Sequence, residues 1–105
     1  MEPRMRFDGI YTPIITPYDE NGAVVWDALG AMIDHLVESG VHGLISGGST
    51  GENYTQTVAE RLEIAQFTFE RLDGRLPLTV GAGAMLTADS VALAEGAAKM
   101  GAQSL

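Results

Sequence analysis

Short apolar runs alternate three times along this chain with longer segments of helical periodicity, and that alternation limits the fold more than any other feature. Residues 9–18, GIYTPIITPY, are β-branched and aromatic with two prolines, which suits a short strand running into a loop. Asn21-Gly22 marks a turn. From Leu29 onward, Leu29, Met32, Ile33, Leu36 and Val37 share one helical face, and Gly40 supplies the stop. Residues 41–45 read as a second strand. Thr57 and Glu60 have the spacing of a capping box, and Val58, Leu62, Ala65, Phe69 and Leu72 then repeat at helical intervals before Gly74. Residues 76–80 read as a third strand. Thr87 or Asp89 can cap a third helix, which ends at Gly101 just after Lys99, a cation suited to the C-terminal dipole.

Strands separated by helices of this length imply parallel βαβ units, because a parallel neighbour needs a long crossover that covers the sheet. The expected class is therefore α/β. A weak internal echo supports it: Gly40-Val41-His42-Gly43-Leu44 closes one helix and opens the second strand, and Gly101-Ala102-Gln103-Ser104-Leu105 closes another. A fourth strand is expected to begin there. A parallel strand without its next neighbour leaves backbone groups and apolar side chains uncovered, so the 105 residues are expected to be a piece of a larger domain.

The formal charge of -8, with no cluster of Lys or Arg, argues against nucleic acid as a partner. The chain has no cysteine and two isolated histidines, so neither disulfides nor a zinc site is expected. The opening MEPRMRFDG has basic residues with no apolar run behind them, and nowhere do eighteen apolar residues follow one another. No membrane contact and a cytoplasmic setting are expected.

The second strand runs straight into GGSTGE, at the strand end where α/β folds place their ligands. Gly47, Gly48 and Gly51 permit backbone angles and close approaches that a β-carbon would block. Ser49 and Thr50 set two hydroxyls beside backbone N–H groups, an arrangement suited to a small anion. A plain tight turn, with the hydroxyls merely capping the next segment, explains the same residues equally well. A phosphate-binding P-loop is excluded, since Glu52 stands where its lysine should follow the last glycine. A third reading is a serine-hydrolase elbow. Gly47-Gly48-Ser49-Thr50-Gly51 matches G-x-S-x-G with Ser49 as nucleophile, although His35 and His42 both precede the serine instead of following it.

Gly43-Leu44-Ile45, Gly48-Ser49-Thr50-Gly51-Glu52, Asn53 and Glu60 fall in step with one known pattern, as do Thr16-Pro17 after the first strand and Gly81-Ala82-Gly83 after the third. Over nearly its whole length the chain resembles the N-terminal part of the dihydrodipicolinate synthase and N-acetylneuraminate lyase family. The resemblance implies a TIM (β/α)8 barrel, with residues 1–105 forming its first three βα units and stopping at the start of strand 4. It implies a lyase or synthase that attaches pyruvate or a related 2-oxo acid to a lysine as a Schiff base, then makes or breaks the adjacent carbon–carbon bond. Thr50 matches the threonine that holds the substrate carboxylate. Ser49 matches the hydroxyl residue that binds the same region and, in the synthases, passes protons. Holding the carboxylate orients the carbonyl toward its amine. No cofactor is implied, and the parent family forms homotetramers. The Schiff-base lysine and a tyrosine belong to later strands of the family pattern, and a barrel needs about 250 residues, so the chain alone is expected to be inert.

The remaining polar and aromatic residues have plainer readings. Lys99, the chain's lone lysine, suits a solvated helix end better than a desolvated catalytic amine. Glu52 is expected to interact with backbone N–H groups or a neighbouring chain. His35 lies off the apolar stripe and is expected to face solvent, and His42 lies at the wrong end of its strand for the active face. Trp26 and Tyr18 should pack beside a turn or across an interface, and Tyr54 should approach the pocket or a partner subunit.

Overall fold

The computed structural model describes residues 7–105; the basic opening stretch lies outside them. Strand β1 (Tyr11–Pro13) precedes helix α1 (Trp26–Glu38), β2 (Gly43–Ser46) precedes α2 (Val58–Leu72), and β3 (Leu78–Val80) precedes α3 (Thr87–Met100). Two single-turn 3-10 segments, Ser49–Gly51 and Asn53–Thr55, lie between β2 and α2. The strands pair in parallel in the order β1-β2-β3, with Pro13 opposite Ile45 and Ile45 opposite Thr79. The α/β expectation holds, and the echo recurs in space. Gly40 and Gly101 both take positive φ, and past Gly101 the chain lies parallel to β3 through a bridge between Ser104 and Thr79.

Strand alternation separates two faces. Leu44 and Ser46 on β2, with Leu78 and Val80 on β3, are wholly buried, and the first, third and fourth join a core with Leu29 and Ile33 of α1, Ile64, Ala65 and Leu72 of α2, and Ala97 of α3. The opposite face carries the row Pro13, Ile45, Thr79, of which Pro13 is exposed and the other two half-buried. Parallel crossovers put all three helices on the first face, with α2 central between α1 and α3. No helix among the described residues is long and apolar enough to cross a membrane.

Several local details depart from the sequence-based expectations. Strand β2 starts at Gly43 because the N–H groups of both His42 and Gly43 are drawn to the Ile10 carbonyl; β3 starts at Leu78, past Pro77, which gives a carbonyl to Leu44 but has no N–H to give. Neither Thr87 nor Asp89 caps α3. The cap position is Leu86 with an extended backbone, so both residues are already inside the helix, where a side chain cannot serve as N-cap. The capping box of α2 is present in both directions, Glu60 N–H to Thr57 Oγ1 at 3.1 Å and Thr57 N–H to Glu60 Oε1 at 3.0 Å.

The largest departure is the face of α2. The residues it buries most deeply are Arg61, Ile64, Ala65, Thr68 and Leu72, a row that includes a charged and a hydroxylic side chain. Leu62 and Phe69 turn instead toward α3, where they press on Gly96 and Gly101. Thr68 is satisfied within the helix, its Oγ1 donating to the Ile64 carbonyl at 2.8 Å. What Arg61 does belongs to the loops beyond the strands.

Candidate functional site

The loop after β2 turns on Gly47, whose φ of +78° is the left-handed region that a side chain resists. Backbone approaches backbone there: a β-carbon on Gly81, at the end of β3, would come within 2.5 Å of the Gly47 carbonyl oxygen. Gly51 is likewise pressed against the Ile14 carbonyl. Gly48 needs no such exemption, since its φ is ordinary and its nearest neighbour would be 4.0 Å away. Glu52 takes left-handed angles between the two 3-10 turns, where its carbonyl accepts from both the N–H and the hydroxyl of Thr55. Its carboxylate makes no hydrogen bond among the described residues, so the expected contact of this acid with backbone N–H groups is not formed within them, and the bonds Glu52 makes are those of its main chain.

Polar side chains from far along the sequence fix this loop. Arg61 donates from Nη1 to the Gly83 carbonyl at 2.8 Å, and from Nη2 to those of Gly81 at 2.8 Å and Gly47 at 3.2 Å. Asn53 Nδ2 donates to the same Gly47 carbonyl at 2.8 Å. Thr16 Oγ1, just past β1, donates to the Gly51 carbonyl at 2.7 Å, and Gln56 Nε2 reaches that carbonyl and the Tyr18 hydroxyl. The ends of all three strands are thereby joined through side chain to carbonyl bonds. Arg61 is only 6% exposed. Burial pulls its guanidinium below its usual range, and the nearby Asp89 carboxylate partly opposes that.

Ser49 and Thr50 stand apart from this network. Both are exposed, on the turn Ser49–Gly51, and neither hydroxyl has a hydrogen-bond partner among the described residues. Two adjacent hydroxyls held on a fixed backbone yet left free can receive an acceptor-only group such as a carboxylate. The hydrolase elbow does not form: the positive-φ residues other than glycine are Glu52 and Asp73, so Ser49 lacks the strained turn that such a nucleophile requires.

His42 sits at the opposite end of β2, where its Nδ1 accepts from the Ile10 N–H at 2.8 Å, and His35 is exposed. Trp26 packs on Phe67 with ring centroids 5.0 Å apart, and Tyr18 bridges to Val24 across its turn. Tyr54 lines a cleft of about 460 Å³ shared with Arg61, Met85 and Asp89, and neither Ser49 nor Thr50 lines it. Lys99 is exposed beside the groove between α2 and α3. Among the described residues no group of three or more His, Asp or Glu side chains could hold a metal ion.

The sequence matches the dihydrodipicolinate synthetase family over residues 6–105. The chain belongs to that family. The 4-hydroxy-tetrahydrodipicolinate synthase of Pseudomonas putida (strain W619) is 36% identical over 94 residues, which cover 90% of this chain and 32% of that protein. The crystal structure of dihydrodipicolinate synthase from Aquifex aeolicus superposes with a TM-score of 0.89 at 34% identity, over 93% of this chain and 33% of that one. That of the chloride-inhibited enzyme from Acinetobacter baumannii, complexed with pyruvate, gives 0.88 at 27% identity over 92% and 33%. The chain thus spans about a third of the length of the relatives it matches.

Three residues that hold this loop escaped the sequence reading: Arg61, Gln56 and Thr16. Gln56 and Thr16 are 40 residues apart and only the fold joins them. Arg61 left a trace, because it falls in helical phase with Ile64, Ala65, Thr68 and Leu72, so the sheet-facing row of α2 begins with a charge.

Proposed function

We propose that this chain supplies the carboxylate-holding part of a Schiff-base-forming lyase or synthase that makes or breaks a carbon–carbon bond next to pyruvate or a related 2-oxo acid. In this reading residues 1–105 are the first three βα units of a single (β/α)8 barrel domain, cytoplasmic and homotetrameric when whole. The observation that carries it is the pair of free hydroxyls on Ser49 and Thr50 at the C-terminal end of β2, in a chain of this family. The pyruvate complex of the Acinetobacter relative supports the class of substrate.

In the complete enzyme, Ser49 and Thr50 donate to the two carboxylate oxygens and so aim the 2-oxo carbon at an amine. The amine condenses with that carbon and water leaves, and the resulting iminium draws electrons from the neighbouring carbon, where the bond forms or breaks. Ser49, through its match to the hydroxyl residue of the family pattern, passes a proton as well. The exposed Lys99, on the outer side of the helices, is not that amine, and the chain alone is inert.

Borohydride reduction of the complete protein in the presence of pyruvate tests this directly. A reduced lysine adduct is expected in the wild type. Thr50→Val and Ser49→Ala should each raise the pyruvate concentration needed for half-trapping about tenfold or more, the scale of a lost hydrogen bond to a charged group. Labelling of Ser49 by a serine-directed phosphonate, with no lysine adduct, would count for the hydrolase instead.

A further inference from the structure

We infer that Arg61 is a positioning residue for the carboxylate grip: it never touches the ligand, but by tying the carbonyls of Gly47, Gly81 and Gly83 together it fixes where Ser49 and Thr50 stand. The inference rests on the function proposed above, and four observations carry it.

The first is where the charge is directed. Arg61 is almost wholly buried, makes no salt bridge among the described residues, and gives its terminal nitrogens entirely to backbone carbonyls of two loops. A buried charge in contact with no carboxylate among the described residues, helped by Asp89 only from beyond ion-pair range, is a costly way to fill space beside a hydrophobic core, so packing alone does not explain an arginine at this position. The second is reach. Gly47 lies two residues before Ser49, and its positive φ sets the direction in which the turn leaves the strand. Arg61 and Asn53 both hold the carbonyl of that one residue.

The third is incompleteness. Arg61 Nε and the hydroxyl of Ser46, the residue before Gly47, are both buried without a partner among the described residues. Unsatisfied polar atoms are rare inside proteins, and two of them beside one glycine ask for an explanation that apolar packing does not supply. The fourth is fit. A planar fork can address three carbonyls in two loops at once; a lysine ammonium, a point charge on a flexible stem, cannot reproduce that plane. Through this fork the β2 loop takes its place from β3.

The experiment compares two ketones at the same amine. In the complete protein, wild type, Arg61→Lys and Asn53→Ala are reduced with borohydride in the presence of pyruvate or of acetone, which lacks the carboxylate. Arg61→Lys is expected to raise the half-trapping concentration of pyruvate about tenfold or more, as a displaced positioning group does, and to leave that of acetone unchanged. Asn53→Ala, on a half-exposed loop and expected to fold in any case, should show the same selective loss to a smaller degree. Added guanidinium ion should restore pyruvate trapping to Arg61→Ala but not to Thr50→Val. Equal losses for both ketones, or no loss for either, in a wild type that does trap pyruvate overturn the role of Arg61 and leave the 2-oxo acid reading standing. A wild type that traps no pyruvate removes that reading and this inference together.

Discussion

The two ends of the sheet are held in opposite ways. Where the strands begin, the ties are between surface groups. His42 accepts from the Ile10 N–H, and Asp34 of α1 receives Arg71 at 2.6 Å and Arg75 at 2.8 Å from the last turn of α2 and just beyond. Where the strands end, buried or half-buried side chains reach into backbone carbonyls, and glycine backbones touch with no side chains between them. The first arrangement tolerates loose geometry, because solvent can substitute for any partner that moves. The second does not, because a displaced donor leaves a carbonyl unpaired out of water. α/β folds place their ligands at the end where parallel strands finish, and in this sheet that end is also the one where position is most tightly specified.

The comparison breaks most sharply at Gly81. A β-carbon there would lie 2.5 Å from the Gly47 oxygen and 2.9 Å from its carbonyl carbon, backbone atoms that cannot swing aside. Gly83, two residues on in the same loop, has ordinary φ and nothing within 4 Å of such a carbon. Gly81→Ala is expected to destabilise the fold by about 1–3 kcal/mol, the range for overpacking, while Gly83→Ala stays within about 0.5 kcal/mol of the parent. Urea denaturation of the three proteins measures both. If Gly81→Ala unfolds at the parent midpoint, the two loops are not in the contact described.

The elements of this end were unequally legible in the sequence. The alternation of strands and helices, the capping box at Thr57 and Glu60, and the place of Ser49 and Thr50 beyond β2 all follow from local spacing, and each recurs in the structure. What joins the loops is not local. Arg61 lies next to the apolar stripe in sequence, and hydropathy alone assigns such a residue to water; it is buried because carbonyls from two loops converge on it, a fact of tertiary structure. The start of α3 departs from its sequence signals for a related reason. Thr87 and Asp89 have the right chemistry for a cap, but the loop after β3 delivers the chain in an extended conformation at Leu86, one residue before Thr87 and three before Asp89. Capping preference ranks residues at a position; it does not decide which position is first.

A smaller effect sharpens the same contrast on the site end. Thr57 caps the helix whose next turn carries Arg61, so the start of α2 and the clamp on Gly47 are mechanically close. Thr57→Ala should cost about 1 kcal/mol, the usual scale for losing such a cap. It should also raise amide exchange in the first turn of α2 and at residues 49–51 more than in the last turn. Exchange that rises evenly along α2 would show that the cap supports the helix as a whole and not the loop.

At the other end the smallest change is expected, and its pH dependence has a definite sign. Hydrogen bonds from Arg71 and then Arg75 hold the Asp34 carboxyl well below its ordinary value of 3.8, at about 2. A carboxylate depressed in the folded state contributes stability that is complete above the unfolded value and lost as pH falls from 3.8 toward 2. Both partners are substantially exposed, with side chains 45% and 32% accessible for Arg71 and Asp34, so solvent and salt screen the pair and the contribution is slight. Asp34→Asn should therefore lower the urea midpoint only a little at neutral pH. The difference should close on acidification and in molar salt. Glu60, lowered by its bonds from the backbone and side chain of Thr57, titrates in the same direction and keeps an acid-sensitive component in the variant. A midpoint difference that survives both acid and salt would mean that Asp34 works by packing α1 on α2 rather than by charge, and the two ends of the sheet would be more alike than their hydrogen bonds suggest.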